Sequence, residues 1–269
     1  MTGSSVRPGG SEPFSVTSGT LDRADLAPGA ALDPAPATYV VLAKAPVPGQ
    51  VKTRLSPAYS PHEAAALASA ALLDSLDAVR SAAGRRAGAS RRLVCALSGD
   101  LAAAAAPAAL EAGLEGFTVV GQRGDGLAER IAHAHTDAVG GGGATVQIGM
   151  DTPQVDPGLL ADVAARVEDP DGPDAVLGPA ADGGWWLLAL RRADDARLVA
   201  GVPMSTSSTG ELTRQALEAA GLRVEEAPGL SDVDEPGDVV AVASLCPDGR
   251  FGALAGVLGG RTAGAAVVA

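Results

Sequence analysis

Short runs of aliphatic and β-branched residues alternate with alanine-rich stretches along most of the chain, and this alternation most constrains how the chain can fold. Each run has the length and composition of a buried β-strand. The predicted strands are 38–43, 91–98, 117–120, 145–149, 175–178, 185–190 and 222–225. Strands that alternate with helices are typical of βα units on a mostly parallel sheet. We therefore predict an α/β fold: one Rossmann-like domain with a mostly parallel, mixed sheet.

Helix start signals fall between the predicted strands. Ser60-Pro61-His62-Glu63 places a capping serine, a proline in the first turn and a glutamate three residues after the cap, which predicts a helix to about residue 83. The segment 208–211 repeats the capping pattern, and Gly221 suits the end of the helix that follows it. Further helices are predicted at 100–112, 125–138, 157–168 and 235–245.

Composition divides the chain into three parts. Residues 1–36 are rich in Gly, Ser and Pro and lack hydrophobic periodicity, which predicts a flexible leader. Residues 37–248 carry the βα pattern and form the predicted domain. Residues 249–269 form a Gly/Ala-rich C-terminal tail whose glycine content argues against a helix.

Charge and composition exclude several functional classes. With 46% hydrophobic and 19% charged residues, the chain is too apolar for an intrinsically disordered protein. A formal net charge of −12 argues against nucleic acid as a partner. There is no apolar run long enough for a membrane span and no signal-peptide pattern, and the two cysteines are far apart in sequence, so we expect a cytoplasmic location. The oligomeric state is left open.

The loop after the first predicted strand concentrates positive charge. Lys44 and Lys52 are the only lysines of the chain, and Arg54 follows them closely. Because ligands of open α/β sheets bind beyond the carboxyl ends of the strands, three cations here favour a phosphate-binding loop. The alternative is an ordinary solvated basic loop. It is not a P-loop, since the GxxxxGK[ST] pattern is absent.

Two aspartates are candidate metal ligands. Asp151 ends the fourth predicted strand, where a carboxylate facing a phosphate loop suits Mg²⁺. Alternatively, Asp151 only caps the turn before Pro153. Asp234 precedes the predicted helix at 235–245 and would be either a second metal ligand or an ordinary helix N-cap. Only three histidines are present, at 62, 133 and 135, and their spacing makes a histidine metal site or catalytic triad improbable.

Two further segments are candidates for a substrate pocket. Asp182-Gly183-Gly184 reads as a hairpin turn, and the adjacent Trp185 and Trp186 should point to opposite faces of a strand. One tryptophan is then expected in the core, and the other either lines a pocket or also packs in the core. The Ser/Thr run at 205–208 is a helix entry whose hydroxyls are a candidate contact for substrate.

Taken together, the loops resemble those of a bacterial family. The motifs that carry the resemblance are Lys44-x-Pro46-x-Pro48-Gly49-x-Val51-Lys52-Thr53-Arg54-Leu55, Gln122-x-Gly124-x-Gly126-Leu127-x-Glu129-Arg130, Gly149-Met150-Asp151-Thr152-Pro153, Gly178-Pro179-x-x-Asp182-Gly183-Gly184-Trp185 and Asp232-x-Asp234-x-Pro236-x-Asp238. They resemble DUF2064, also called the rSAM/selenodomain-associated transferase 1 family, over roughly residues 38–245. That family of proposed glycosyltransferases is similar to GT-A-type nucleotide-diphospho-sugar transferases and to small nucleotidyltransferases such as the 2-phospho-lactate guanylyltransferases.

The resemblance implies a GT-A fold and a nucleotide-dependent transferase that uses Mg²⁺ or Mn²⁺. It implies a role for each candidate residue: nucleotide or phosphate binding for Lys44, Pro48, Gly49, Lys52, Arg54, Gln122 and Arg130; metal binding for Asp151 and Asp234; acceptor-side base for Asp182; and an acceptor pocket of Gly183, Gly184, Trp185, Ser205 and Thr206. Three departures from the family pattern stand out: Gln154 replaces an acidic residue, Met204 a tryptophan, and Ser207-Ser208 a proline. They would retune acceptor choice or weaken activity.

Three functions follow as hypotheses. The first is a metal-dependent glycosyltransferase with a nucleotide-activated sugar donor and a small-molecule acceptor. The second is a nucleotidyltransferase that joins an NTP to a small phosphorylated or carboxylated metabolite and releases pyrophosphate. The third is a non-catalytic nucleotide-binding protein. The product released separates the first two.

Overall fold

The sheet at the centre of the fold has the mixed, mostly parallel topology that the sequence predicts. The computed structural model describes residues 36–85, 91–140 and 143–266, with side chains as far as residue 260. The strands are β1 (Thr38–Lys44), β2 (Leu93–Ser98), β3 (Thr118–Gly121), β4 (Thr145–Ile148), β5 (Ala175–Pro179), β6 (Trp185–Leu190) and β7 (Val224–Glu226). They pair in the order β3-β2-β1-β4-β6-β5-β7, and β6 runs antiparallel to both of its neighbours. The α/β prediction is confirmed.

Within the described residues, five α-helices connect these strands and two more follow β7. They are α1 (Pro61–Gly84), α2 (Pro107–Gly113), α3 (Leu127–Val139), α4 (Pro157–Glu168), α5 (Thr209–Ala219), α6 (Pro236–Leu245) and α7 (Arg250–Ala266). The single helix predicted over 100–112 is wrong: a 3₁₀ turn at Leu101–Ala103 is followed by a separate α2. Pro107 has no backbone N–H to donate to the preceding turn, so it begins a new helix instead of continuing one.

Helix caps show where local sequence decides the structure and where it does not. At α1 the predicted capping box forms, with Ser60 Oγ accepting from Glu63 N (3.3 Å) and Glu63 Oε2 accepting from Ser60 N (2.9 Å). At α5 the predicted box is wrong, because the Ser208 side chain makes no capping bond. Thr209 organises that turn instead: its Oγ1 accepts from Thr206 N and donates to Pro203 O, both at 3.0 Å.

The helices cover both faces of the sheet. On one face, α1 and α4 pack on a large core cluster that includes the fully buried Tyr39, Ile148 and Leu160. On the other face, α3, α5 and the 3₁₀ segment Ala193–Val199 cover Leu188 and its neighbours. No helix in the part of the chain that the structure describes is long and apolar enough to cross a membrane. The predicted leader lies outside the described residues, apart from Pro36.

The C-terminal segment is helical, although its glycine content argues against a helix. The first turn of α7 is capped from another element, since Asp74 of α1 accepts hydrogen bonds from the backbone N–H groups of Arg250 (3.1 Å) and Phe251 (2.9 Å). Phe251 is fully buried beside Leu55 and Leu67. Tertiary packing and this distant cap therefore override the low helix propensity of the segment.

The cap on α7 leads to a stability prediction. Replacing Asp74 with alanine leaves two N–H groups at the start of α7 without their acceptor, and we expect a loss of about 1–2 kcal/mol in the free energy of unfolding. Urea unfolding followed by circular dichroism measures it. Asp162→Ala, on the exposed face of α4, is the matched control and should change stability by less than about 0.5 kcal/mol. Equal effects for the two variants would show that Asp74 does not hold α7.

Candidate active site

A cleft of about 730 Å³ opens beyond the carboxyl ends of β1, β3 and β4. This is the edge of the sheet at which open α/β folds bind ligands. The predicted site residues that line it are Lys44, Lys52, Arg54, Gln122, Arg130, Asp151, Asp182, Gly184, Trp185, Ser205, Thr206 and Asp234. Pro48, Gly49 and Gly183 lie outside the lining. The fold thus brings most of the candidates to one place, and their individual roles stay predictions.

Lys52 lies at the centre of the charged part of the cleft. Its Nζ is 2.8 Å from Asp151 Oδ2 and 2.9 Å from Asp234 Oδ1. Only 12% of its side chain is exposed. Burial opposes the charged form, but the two carboxylates outweigh it, and the pKa of Lys52 rises to about 12. Lys52 therefore carries a fixed positive charge at neutral pH.

The other two cations of the loop are held less tightly. Lys44 is exposed and its Nζ donates to the carbonyl oxygen of Gln50 at 2.8 Å, which closes the loop on itself. Arg54 reaches Asp234 Oδ2 at 3.4 Å, with 72% of its side chain exposed. Exposed ion pairs contribute little to stability. Both side chains are therefore available to an anionic ligand at small cost.

Three carboxylates form a cluster beside Lys52. Asp151, Asp232 and Asp234 each offer an oxygen, and these oxygens lie within 4.8 Å of one another. Burial, and then the negative charges of Asp151, Asp182 and Asp234, raise the pKa of Asp232 to about 6. The sequence prediction missed Asp232 as a ligand. The signal was its spacing of two from Asp234, which in extended chain puts both side chains on one face.

The geometry excludes the helix-cap alternative for Asp234. Glu235 is the N-cap of α6, and its backbone N–H donates to Asp238 Oδ2 at 2.6 Å. The Asp234 side chain faces Lys52 instead, so the helix-cap alternative is wrong. Asp151 likewise points to Lys52, and its backbone oxygen accepts from Val233 N at 3.2 Å. Backbone and side-chain contacts thus link the loop after β4 to the segment before α6.

Gln154, one of the departures from the family pattern, also links these two loops. Its Nε2 donates to the carbonyl oxygen of Ser231 at 2.6 Å, one residue before Asp232. An ionised carboxylate has no proton with which to make this bond. Glutamine at this position therefore holds the carboxylate cluster together while adding no negative charge to it.

The Asp182-Gly183-Gly184 turn forms another part of the cleft wall. Asp182 Oδ1 accepts from Gly184 N at 2.7 Å, which fixes the predicted hairpin turn. Gly183 has φ +87°, and a Cβ there would lie 2.1 Å from the carbonyl oxygen of Ser207. Gly210 N also donates to Gly183 O at 2.8 Å. Gly183 therefore packs directly against the backbone of the Ser/Thr segment and positions it, whereas Ser205 and Thr206 line the cleft.

The two tryptophans point to opposite faces of β6, as expected from strand alternation, and both reach the lining of the cleft. Trp186 is 3% exposed and its Nε1 donates to the carbonyl oxygen of Pro228 at 3.0 Å. Trp185 is half-buried, lines the cleft and donates from Nε1 to Thr213 Oγ1 at 3.2 Å. The hydrogen bond fixes the orientation of the Trp185 ring at the cleft wall.

Two amides and several apolar side chains also line the cleft. Gln122 Nε2 donates to the carbonyl oxygens of Ala43 and Ala96, both at 2.8 Å. Leu42, Leu127 and Ile131 are the apolar side chains, and Gln147 and Arg130 are polar ones. Gln147 is 1% exposed, and its Oε1 has no hydrogen-bond partner among the described residues. The sequence prediction missed Gln147, which reads as an ordinary strand residue.

The close packing under Gly183 predicts a large effect of adding one methyl group. Gly183→Ala forces a strained positive φ and a clash with backbone of the Ser/Thr segment, so we expect it to lower the free energy of unfolding by at least about 2 kcal/mol. The control is Gly201→Ala, where a Cβ meets nothing within 4 Å. Chemical denaturation of both variants measures the difference, and an unchanged stability for Gly183→Ala would contradict the packing described here.

Comparisons with known proteins support the fold. The DUF2064 family model, described as an uncharacterized protein conserved in bacteria, matches residues 78–206. None of the curated proteins compared with the chain matches it. Among solved structures, a proposed nucleotide-diphospho-sugar transferase from Desulfovibrio desulfuricans G20 has a TM-score of 0.66 and 24% identity, with 82% of this chain and 94% of that chain covered. At this identity the likeness concerns the fold.

Two further solved structures are more distant. CMP:2-keto-3-deoxy-manno-octonic acid synthetase in complex with CTP has a TM-score of 0.49 and 14% identity, over 80% of this chain and 99% of that chain. Rv0371c from Mycobacterium tuberculosis H37Rv has a TM-score of 0.47 and 21% identity, over 76% and 95%. The family match over residues 78–206 confirms the family predicted from the loop motifs: this chain carries a DUF2064 region in a Rossmann-like, mostly parallel α/β fold.

Proposed function

We propose that the protein is a metal-dependent glycosyltransferase that moves a sugar from a nucleotide-activated donor to a small-molecule acceptor. The observation that carries the proposal is the position of Lys52 between Asp151 and Asp234, beside Lys44 and Arg54, in a cleft at the carboxyl ends of the strands. A fixed cation next to clustered carboxylates suits a diphosphate whose charge is shared between protein and metal.

The carboxylate cluster fits a divalent ion. Asp151, Asp232 and Asp234 supply hard oxygen ligands close to one another, which is the donor set that Mg²⁺ or Mn²⁺ prefers. Three carboxylates also exceed the charge that Lys52 and Arg54 neutralise. Burial first, and then the neighbouring negative charges, raise the pKa of Asp232. When bound there, the ion would supply Lewis-acid stabilisation of the negative charge on the departing diphosphate.

The chain's own cations share that work. In this proposal Lys52, already desolvated and fixed, stabilises charge that develops on the diphosphate leaving group. Lys44 and Arg54, whose present contacts are weaker or exposed, turn to bind phosphate oxygens. Because Lys52 is held in place before the reaction, little reorganisation of its charge is needed as negative charge develops on the diphosphate.

The part of the cleft wall that carries Trp185, Ser205 and Thr206 suits the sugar and the acceptor. The hydrogen bond to Thr213 holds the Trp185 ring in one orientation at the cleft wall. Ser205 and Thr206 are exposed and add hydroxyl groups, and an aromatic ring beside hydroxyl groups suits a polyhydroxylated ligand. Asp182 also lines the cleft, with one oxygen committed to its own turn. Its second oxygen is the proposed base that takes the proton from the acceptor hydroxyl.

A nucleotidyltransferase is the second candidate, and one observation favours it. The β4 end carries a single aspartate, Asp151, and the cationic loop follows β1 directly, which also suits the binding of a triphosphate and the release of pyrophosphate. The two reactions differ in what leaves. Glycosyl transfer releases a nucleoside diphosphate or monophosphate from the donor, whereas nucleotidyl transfer releases pyrophosphate.

The proposal predicts turnover that depends on Asp234. The protein is incubated with Mg²⁺ or Mn²⁺ and a panel of nucleotide sugars or NTPs. Candidate acceptors are sugars and small hydroxy and carboxy acids. Chromatography quantifies the nucleotide and the pyrophosphate that are released. We expect one nucleotide sugar to release its nucleotide, and Asp234→Asn to lower that rate at least about 100-fold, because it removes a charge from the ligand cluster. Asp162→Asn, exposed on α4, is the control and should keep the parent rate.

Other results would redirect the assignment. Pyrophosphate released from an NTP would favour the nucleotidyltransferase over the glycosyltransferase. Nucleotide binding without turnover under any condition would favour the non-catalytic alternative. A parent rate retained by Asp234→Asn would contradict the role proposed for the carboxylate cluster.

A further inference from the structure

We propose that Thr213 is a positioning residue for the substrate-binding wall of the cleft: it takes up the only hydrogen-bond donor of the Trp185 ring, so that the ring meets a sugar as an apolar surface. The inference rests on the proposed function, because it concerns the part of the wall that we assign to the sugar and the acceptor. It adds a residue that the sequence motifs do not single out.

The hydrogen bonds of Thr213 have only one possible direction. Its Oγ1 lies 2.8 Å from the carbonyl oxygen of Thr209, which only accepts, so the single hydroxyl proton is donated there. The indole Nε1 of Trp185 lies 3.2 Å from the same Oγ1 and only donates. Thr213 therefore accepts from Trp185, and this bond commits the only donor of the indole ring.

This hydrogen bond lies behind the wall of the cleft. Thr213 has no exposed surface and does not line the cleft, whereas Trp185 is half-buried and does line it. The indole N–H is therefore directed to the interior of the protein, and the part of Trp185 that a ligand can contact is ring carbon. Such a surface suits the C–H face of a sugar ring, whose hydroxyl groups then need other partners.

The turn that carries the hydroxyl groups of the same wall is also held from α5. Ser205 has φ +59°, a left-handed conformation that costs free energy in a residue with a side chain. Thr209 Oγ1 bonds to the backbone on both sides of it, at Pro203 O and Thr206 N, both at 3.0 Å. Thr209 and Thr213, one helical turn apart, thus hold two parts of the wall that line the cleft.

Removing the Thr213 hydroxyl would leave the indole N–H without its acceptor. A buried donor without a partner costs free energy, so we expect the ring to turn until its N–H reaches water in the cleft. The apolar surface would then be displaced, whereas the cations and carboxylates that bind the diphosphate would keep their places. Valine has the branched shape of threonine and lacks the hydroxyl, so Thr213→Val makes this change with little else.

Nuclear magnetic resonance detects the hydrogen bond directly, because the chain has two tryptophans and therefore two indole N–H signals. Trp185→Phe assigns them by removing one. In Thr213→Val we expect the Trp185 N–H signal to shift and to exchange with water at least about tenfold faster. The Trp186 signal, whose N–H donates to the carbonyl oxygen of Pro228, should stay in place. Thr213→Ser keeps the acceptor and should restore the parent signal.

Steady-state kinetics then connects the ring to the substrate. The assay uses the nucleotide sugar that releases its nucleotide, from a panel such as UDP-glucose, GDP-mannose and ADP-glucose. We expect Thr213→Val to raise the KM for this donor or for the acceptor at least about fivefold and to change kcat by less than about twofold. Thr213→Ser should restore the parent KM.

Thr136→Val is the matched control. The Thr136 hydroxyl likewise donates to carbonyl oxygens of the preceding turn of its own helix, α3, and Thr136 does not line the cleft. The same substitution there should keep the parent KM and kcat.

The outcomes separate this inference from the function on which it rests. If no nucleotide sugar is bound or turned over, the proposed function fails, and the indole signals still test whether Thr213 holds the ring. An unchanged Trp185 signal in Thr213→Val would overturn the positioning role. A shifted signal with unchanged or lower KM values would also overturn the proposal, since the substrate would then not depend on this orientation of the ring.

If Thr213→Val does not fold, the parent protein decides. The Trp185 N–H should keep its slow exchange when the protein is saturated with the nucleotide sugar and the acceptor, because Thr213 still holds it. Transfer of that N–H to the substrate, seen as a large shift of the Trp185 signal on saturation, would overturn the proposal.

Discussion

The ion pairs of Lys52 join parts of the chain that are distant in sequence, and the geometry of the cleft depends on them. Asp151 lies 99 residues away from Lys52 and Asp234 lies 182 residues away. Without an intervening cation the two carboxylates would repel each other across a half-buried space. The ammonium therefore determines how closely the loop after β4 and the segment before α6 approach the loop after β1.

Two neutral contacts maintain that approach. Val233 N donates to Asp151 O, and Gln154 Nε2 donates to Ser231 O, so the two carboxylate-bearing segments are linked by hydrogen bonds that do not involve the charges. Lys52 itself has φ +47° and ψ +39°, a left-handed conformation that costs a residue with a side chain on the order of 1 kcal/mol. The two ion pairs of Lys52 help to hold it in this conformation, and such local strain is common at functional sites.

The elements of the fold were predictable where local sequence and tertiary packing agree. The seven strands and the start of α1 at Pro61 follow from hydrophobic runs and a capping box that the structure retains. The helix α7 was not predictable in the same way, because its cap is supplied by Asp74, which is distant in sequence. The same applies at α5, where Thr209 rather than Ser208 organises the first turn.

The candidate site was predictable to the extent that functional residues follow strand ends. Asp151 was chosen because it ends a strand and Asp234 because it precedes a helix, and the fold brings both to the same ammonium. Hydrogen bonds between residues that are distant in sequence were not predictable. In the sequence Gln147 looks like an ordinary strand residue, and nothing there shows that its Oε1 lacks a partner. The Gln122 amide donates to carbonyl oxygens of two other strands, which the sequence does not show either. Which atom of a side-chain amide donates and which remains free to accept depends on the three-dimensional arrangement of these strands.

In the proposed function, Lys52 and the carboxylate cluster form a site shared by a divalent metal and a diphosphate. The decisive experiment is a crystal structure of the protein with Mn²⁺ and a nucleoside diphosphate, measured with anomalous diffraction. We expect an anomalous peak coordinated by Asp151 and Asp234, with the diphosphate in contact with Lys52 Nζ. Ordered nucleotide elsewhere, or Mn²⁺ absent from the cluster while Lys52 keeps both ion pairs, would contradict the claim.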